Sequence, residues 1–191
     1  RSKYASFSVG RFAEASAGST ADDVQITFDD NALMDAGADS TAEDPDMEGG
    51  VFTRFFHPSG ALAREGFLVD GARAGVWTAW DESGARQYRG AFRNYRRVGP
   101  WEAYGKGARS VTKGYYDEDG LRDGVWANFG NRGDVRLLVR YVHGVREGAL
   151  ERFTRGGKLV ERTEYRGGLR DGLSLKKSTG AKTMVEQGAW V

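Results

Sequence analysis

The sequence predicts an all-β protein: an elongated, single-layer antiparallel β-meander of about six hairpin repeats over residues 50–191, preceded by an acidic, mostly extended N-terminal arm over residues 1–49. Three observations predict it. Glycine makes up 28 of 191 residues, about twice the usual share of roughly 7%, and 24 of the 28 lie from Gly50 onward. Three residue ladders keep one period. Between the ladder positions lie short runs rich in aromatic and β-branched residues, bounded by glycine turns, as strands are and amphipathic helices are not.

The arm comes first. Residues 1–50 carry three cations against eleven carboxylates, a net charge of −8, and the remaining residues carry 25 cations against 16 carboxylates, a net of +9. Halves of opposite sign attract each other, or each attracts a partner of opposite sign. Within the arm, Val24-Gln-Ile-Thr-Phe28 alternates apolar and polar residues as a half-buried strand does, and Asp30–Asp35 has the form of one capped helical turn. Tyr4, Phe7, Val9 and Phe12 form a second thin apolar group. The rest is too poor in apolar surface to fold alone, so the arm is expected to order only by lying on something else.

The repeats follow. Gly50, Gly75, Gly99, Gly124, Gly148 and Gly172 recur at one nearly constant interval, the self-similarity that marks a repeat architecture. Two positions after each come Phe52, Trp77, Trp101, Trp126, Leu150 and Ser174, and five positions after come Phe55, Trp80, Tyr104, Phe129, Phe153 and Lys177. Phe67, Phe92, Tyr116, Tyr141, Tyr165 and Trp190 form the third ladder with the same period. Ser174 and Lys177 lack the aromatic character, as expected of a terminal capping repeat. Each unit reads as two strands: in the second copy Gly75–Trp80 is the first, Asp81–Gly84 a turn, and Ala85–Phe92 the return. About twelve strands at roughly 4.8 Å each give a sheet about 55–60 Å across.

The glycine ladder, followed by Gly-x-Trp-x-x-aromatic and a glycine turn, resembles the MORN (membrane occupation and recognition nexus) repeat, in the Gly-x-Trp-x-x-Tyr variant abundant in bacterial proteins. Phe67–Trp80 and Tyr116–Phe129 carry the resemblance best. Two copies depart from it: Tyr95 or Arg96 occupies the first-glycine site in the copy around Phe92, and Leu150 replaces a tryptophan. The resemblance implies a repeat sheet over about three quarters of the chain, used for scaffolding, dimerisation or contact with partners and membranes.

Side chains alternate faces along a strand, so the rows two and five residues after each glycine point to opposite sides. The tryptophan row is expected to pack against the third ladder. The other row, Phe55, Trp80, Tyr104, Phe129 and Phe153, is a candidate partner-binding surface together with Val24, Ile26 and Phe28 of the arm, since contiguous exposed apolar area marks an interaction site.

Catalytic and metal chemistry find little support. His57 and His143 stand in turns at non-equivalent repeat positions, with no nucleophile at catalytic spacing. Asp117–Asp123 has a calcium-loop-like run, but setting Gly120 at the loop's central glycine puts Trp126 where a bidentate glutamate must stand. Gly180–Thr183 lacks the adjacent Gly-Lys of a phosphate loop, and Arg132-Gly-Asp134 is ordinary turn chemistry. No cysteine is present, which removes disulfides and thiolate metal sites, and no apolar run is long enough to be a membrane-spanning helix. No catalytic residue, metal or cofactor is assigned. Arg86, Arg89, Arg93, Arg96 and Arg97, interleaved with Tyr88, Phe92 and Tyr95, are a candidate site for an anionic surface.

The sequence therefore leads to a non-catalytic structural or scaffold subunit that binds other protein subunits in a multi-subunit assembly through the arm and one aromatic sheet face. An antitoxin- or immunity-type binding protein and a peripheral membrane-associating repeat protein are the alternatives; an anionic membrane surface is the further partner considered, and nucleic acid is not expected. A first residue Arg1 suits an organelle-imported subunit, mitochondrial or plastid, after transit-peptide removal, and a trimmed bacterial cytoplasmic chain equally.

Overall fold

The computed structural model describes residues 48–177 and 183–187. Residues 1–47 of the arm, with Val24, Ile26 and Phe28, lie outside the described residues, as does Trp190. The fold is all-β. β1 (Val51–Phe56), β2 (Leu62–Val69), β3 (Ala72–Trp80), β4 (Arg86–Arg93), β5 (Arg96–Tyr104) and β6 (Val111–Tyr116) are followed by β7 (Arg122–Phe129), β8 (Val135–Val142), β9 (Val145–Phe153), β10 (Leu159–Arg166), β11 (Leu169–Lys177) and β12 (Thr183–Gln187). The strands run in sequence order through one antiparallel meander. Among the described residues two compact units are distinguished, 48–121 with β1 to β6 and Arg122 onward with β7 to β12.

Two kinds of turn build most of the meander, and both contribute to the glycine excess. Most connections at one end of the hairpins, and the β6–β7 connection at the other, are three-residue loops. Asp81 N–H donates to the Ala85 carbonyl and Gly84 N–H to the Asp81 carbonyl, each at 2.9 Å, and His57–Ala61, Asp117–Leu121, Gly130–Asp134 and Thr154–Lys158 repeat the pattern. The fourth residue of each is a glycine with φ between +75° and +86°, the left-handed position that closes such a loop. Asp70-Gly71, Asn94-Tyr95, His143-Gly144 and Gly167-Gly168 are two-residue turns with positive φ at both residues, the geometry that matches strand twist, and β5 and β6 are joined by a longer loop in which the Gly105 N–H donates to the Ser110 carbonyl at 2.9 Å.

The ladder glycines do something else. Gly90 pairs with Trp101 but Ala91 pairs with Val98, so Gly99 and Pro100 are extra residues on β5. The same irregularity contains Gly75 in β3, Gly148 in β9 and Gly172 in β11. Their φ values lie between +62° and +81°, which makes each a bulge glycine. Pro100 is tolerated because a bulged residue need not donate to the ladder.

The first repeat sits one residue away from where its spacing suggests. Thr53 pairs with Gly66, Phe56 with Leu62 and Val51 with Leu68, which correspond to Trp77 with Gly90, Trp80 with Arg86 and Gly75 with Phe92 in the next copy. The ladders thus begin at Val51, Thr53, Phe56 and Leu68 rather than at Gly50, Phe52, Phe55 and Phe67. The register is fixed by the His57–Ala61 loop, the counterpart of Asp81–Ala85 in the next copy. Among the described residues no strand precedes β1, so none there requires a bulge glycine.

Candidate protein-binding surface

One face of the sheet is an interlocked layer of aromatics and guanidinium groups. The tryptophan row is buried: Trp77 is 0% exposed, Trp101 3% and Trp126 4%. Trp101 meets Phe92 and Tyr116 edge-on at 5.3 and 5.6 Å and stacks on Tyr88 at 5.2 Å, so it packs against the third ladder as expected. The bulge leaves the Phe67 carbonyl available, and the Trp77 indole N–H donates to it at 3.0 Å.

A glycine lies beneath the rings of Trp77 and Trp101. A Cβ on Gly66 would fall 2.5 Å from the Trp77 ring, and one on Gly90 would fall closer still to that of Trp101. Where the tryptophan is replaced, so is the residue it pairs with: Leu150 opposes Val139, and Ser174 opposes Thr163, with the two hydroxyls 3.1 Å apart. Large on small gives way to medium on medium. Ser174 keeps a cross-strand partner without an aromatic ring.

An arginine ladder covers these rings. Arg73, Arg97, Arg122, Arg146 and Arg170 each stand two residues before a ladder glycine. In the first unit Arg73 lies 3.9 Å from the Phe92 ring centre and Arg97 lies 4.8 Å from that of Trp101. In the second unit Arg122 lies 4.4 Å from Trp126 and Arg146 lies 5.3 Å from Tyr165. Arg97 and Arg122 donate to the hydroxyls of Tyr116 and Tyr141 at 3.1 and 3.2 Å. Because Phe92 has no hydroxyl, Arg73 donates instead to Tyr88 at 3.1 Å. The Tyr141 hydroxyl also raises the pKa of Arg146, with burial opposing. Sequence reasoning passed over this ladder, although it keeps the same period as the glycines and was readable from it.

The second aromatic row lies on the other face and is largely covered by its own sheet. Phe153 is buried, and Trp80, Tyr104 and Phe129 are half-buried. Tyr104 donates to Glu102 at 2.5 Å and accepts from Arg86 at 3.1 Å, and burial first, then the bond to Glu102, pushes its pKa up. Glu102 is buried and paired with Lys113 at 3.1 Å. Buried Glu151 faces Arg162 at 3.6 Å; burial pushes its carboxyl above the usual range, against the pull of Arg162. Phe55, one residue off register, sits beside Trp77 at 6.1 Å with Arg64 over its ring at 4.5 Å.

The five candidate arginines do not share one surface. Arg97 belongs to the ladder over Trp101. Arg86 is bound to Tyr104 on the opposite face, and Arg96 pairs with Asp119 at 3.2 Å. Arg89 and Arg93 are half-buried with partners of their own. The turn residues are similarly occupied. The Asp117 carboxylate accepts from the amides of Asp119 and Leu121 at 3.1 and 2.8 Å, Asp134 pairs with Arg136 at 2.6 Å, and His57 Nε2 stands 3.0 Å from the Trp80 carbonyl.

Exposed apolar side chains concentrate elsewhere. Val51, Phe52 and Phe56 lie along β1; Val142, Val145 and Leu169 flank two-residue turns of the second unit. Tyr95, 77% exposed, is the second residue of its turn, where Gly71, Gly144 and Gly168 stand in the others. At φ +65° a tyrosine there bears a backbone strain of about 1–2 kcal/mol. The departure at Tyr95 from the glycine ladder was the sequence signal for it.

No protein-family model matches the chain, and no curated protein is significantly similar to it.

Proposed function

We propose that the chain is a non-catalytic, MORN-like repeat scaffold that joins other protein subunits through its hairpin tips. The observation that supports this is Tyr95: a strained, highly exposed aromatic where the equivalent turns use glycine. Strain kept at an exposed position is a mark of function, and tyrosine is enriched at the centres of protein interfaces. Arg96, Asp119 and Leu121 lie on the neighbouring loop surface, since Arg96 pairs with Asp119 and its Cβ lies 3.2 Å from where a Gly120 side chain would begin. An apolar anchor ringed by exposed charges is the form of an interface with a polar rim. The half-buried Trp80 row has most of its surface already engaged, so the tip is the better contact.

The test is co-purification of wild type and Tyr95→Gly from the native source at matched expression. The expected result is a stoichiometric partner that is lost or weakened at least tenfold in the variant. Retention of the same partner at the same stoichiometry would contradict the proposal.

A further inference from the structure

The open edge of β1 is the least protected part of the described sheet. It stands first in the strand order with no neighbour on its outer side among the described residues. Phe52, Arg54 and Phe56 point to one face, all exposed, and the Arg54 guanidinium lies 5.5 Å from the Phe52 ring. Natural sheets shield such edges, because unpaired N–H and C=O groups beside exposed apolar side chains template pairing with another strand.

We propose that Val24–Phe28 of this same chain adds to β1 as a further antiparallel strand, closing that edge. The segment has the complementary pattern. As a strand, Val24, Ile26 and Phe28 would share one face, and placing Ile26 opposite Arg54 would set Val24 against Phe56 and Phe28 against Phe52. Asp22, Asp23, Asp29 and Asp30 bracket the segment, while the first hairpin carries two exposed cations, Arg64 and Arg54, the latter also paired with Glu65 at 3.0 Å. Residues 29–50 form a tether of about twenty residues, with an extended reach of roughly 70 Å, which holds the segment at an effective concentration in the millimolar range. A second copy fits the edge less well. The register that stacks Phe52 of one copy on Phe56 of the other places Arg54 opposite its own counterpart, and like charges directly opposite are destabilising.

The proposal goes beyond the scaffold reading: it concerns β1, whereas that reading rests on the β4–β5 tip, so either can fail alone. The test uses the full chain, which has no cysteine. Mild oxidation of the Phe28→Cys/Phe52→Cys and Val24→Cys/Phe56→Cys variants is expected to give intramolecular disulfides. The out-of-register pair Val24→Cys/Phe52→Cys is expected to stay reduced, being about 13 Å apart at the rise of a strand. Hydrogen exchange of the unmodified chain is the second readout. The outward β1 amides are expected to be protected, and to exchange at least tenfold faster in the Val24→Ser/Ile26→Asp/Phe28→Ser variant. Unprotected β1 amides in the wild type, equal oxidation of the out-of-register pair, disulfides linking two chains, or protection appearing only when another protein is added would each overturn the proposal.

Discussion

Gly90 and Trp101 show at the scale of single residues how the tryptophan row holds. The Gly90 backbone is extended, so an alanine there adds no backbone strain, yet its Cβ would press into the indole. Gly90→Ala is expected to destabilise by about 2 kcal/mol through overpacking, and Trp101→Leu by about 3 kcal/mol through the cavity it leaves. The pair Gly90→Val/Trp101→Leu, which copies Val139 and Leu150, should lose at least about 1 kcal/mol less than its two single changes combined. Additive losses in urea unfolding would show that the two sites are independent. Glu151 makes a second prediction. Burial raises its folded pKa above the unfolded one, so the native state holds the proton where the unfolded chain has released it. Its contribution to stability is therefore fullest below the ordinary glutamate range and is lost as pH rises through the raised value. Between pH 7 and pH 4 the stability of wild type should rise relative to Glu151→Gln; parallel pH profiles would contradict this.

Hairpins are the elements in which the glycine pattern becomes structure. The period was legible because each copy needs a bulge glycine and a loop glycine at fixed places, and the tryptophans betrayed the buried face. The register of the first copy was not legible, because Phe52, Phe55 and Phe67 satisfy a ladder by spacing while pairing follows the loop at His57–Ala61. The coverage of the second aromatic row was also hidden. Alternation says that Trp80 and Tyr104 leave the tryptophan face, but not that Tyr104 is engaged there by Glu102 and Arg86. The arginine cluster looked contiguous in sequence and is split by the same alternation. At the element scale the Asn94-Tyr95 turn is the strained exception, and Tyr95→Gly should raise stability by about 1 kcal/mol, seen as a higher Tm. A lower Tm would mean that Tyr95 supports its own hairpin instead of a partner.

For the whole molecule, residues 51–191 carry a net charge of +9 and residues 1–50 a net of −8, a polarity that favours attraction within the chain or to a partner of opposite sign. A regular, internally satisfied sheet is suited to carrying contact residues at fixed spacing, and its hairpin tips can vary without disturbing the buried rows. The most direct test of this account replaces Tyr95 with a photoreactive, benzophenone-bearing phenylalanine and irradiates the protein in its native source, with the same group at Trp80 as comparison. The account predicts that position 95 captures one defined polypeptide that position 80 does not. Capture of no polypeptide from position 95, or the same products from both positions, would contradict it.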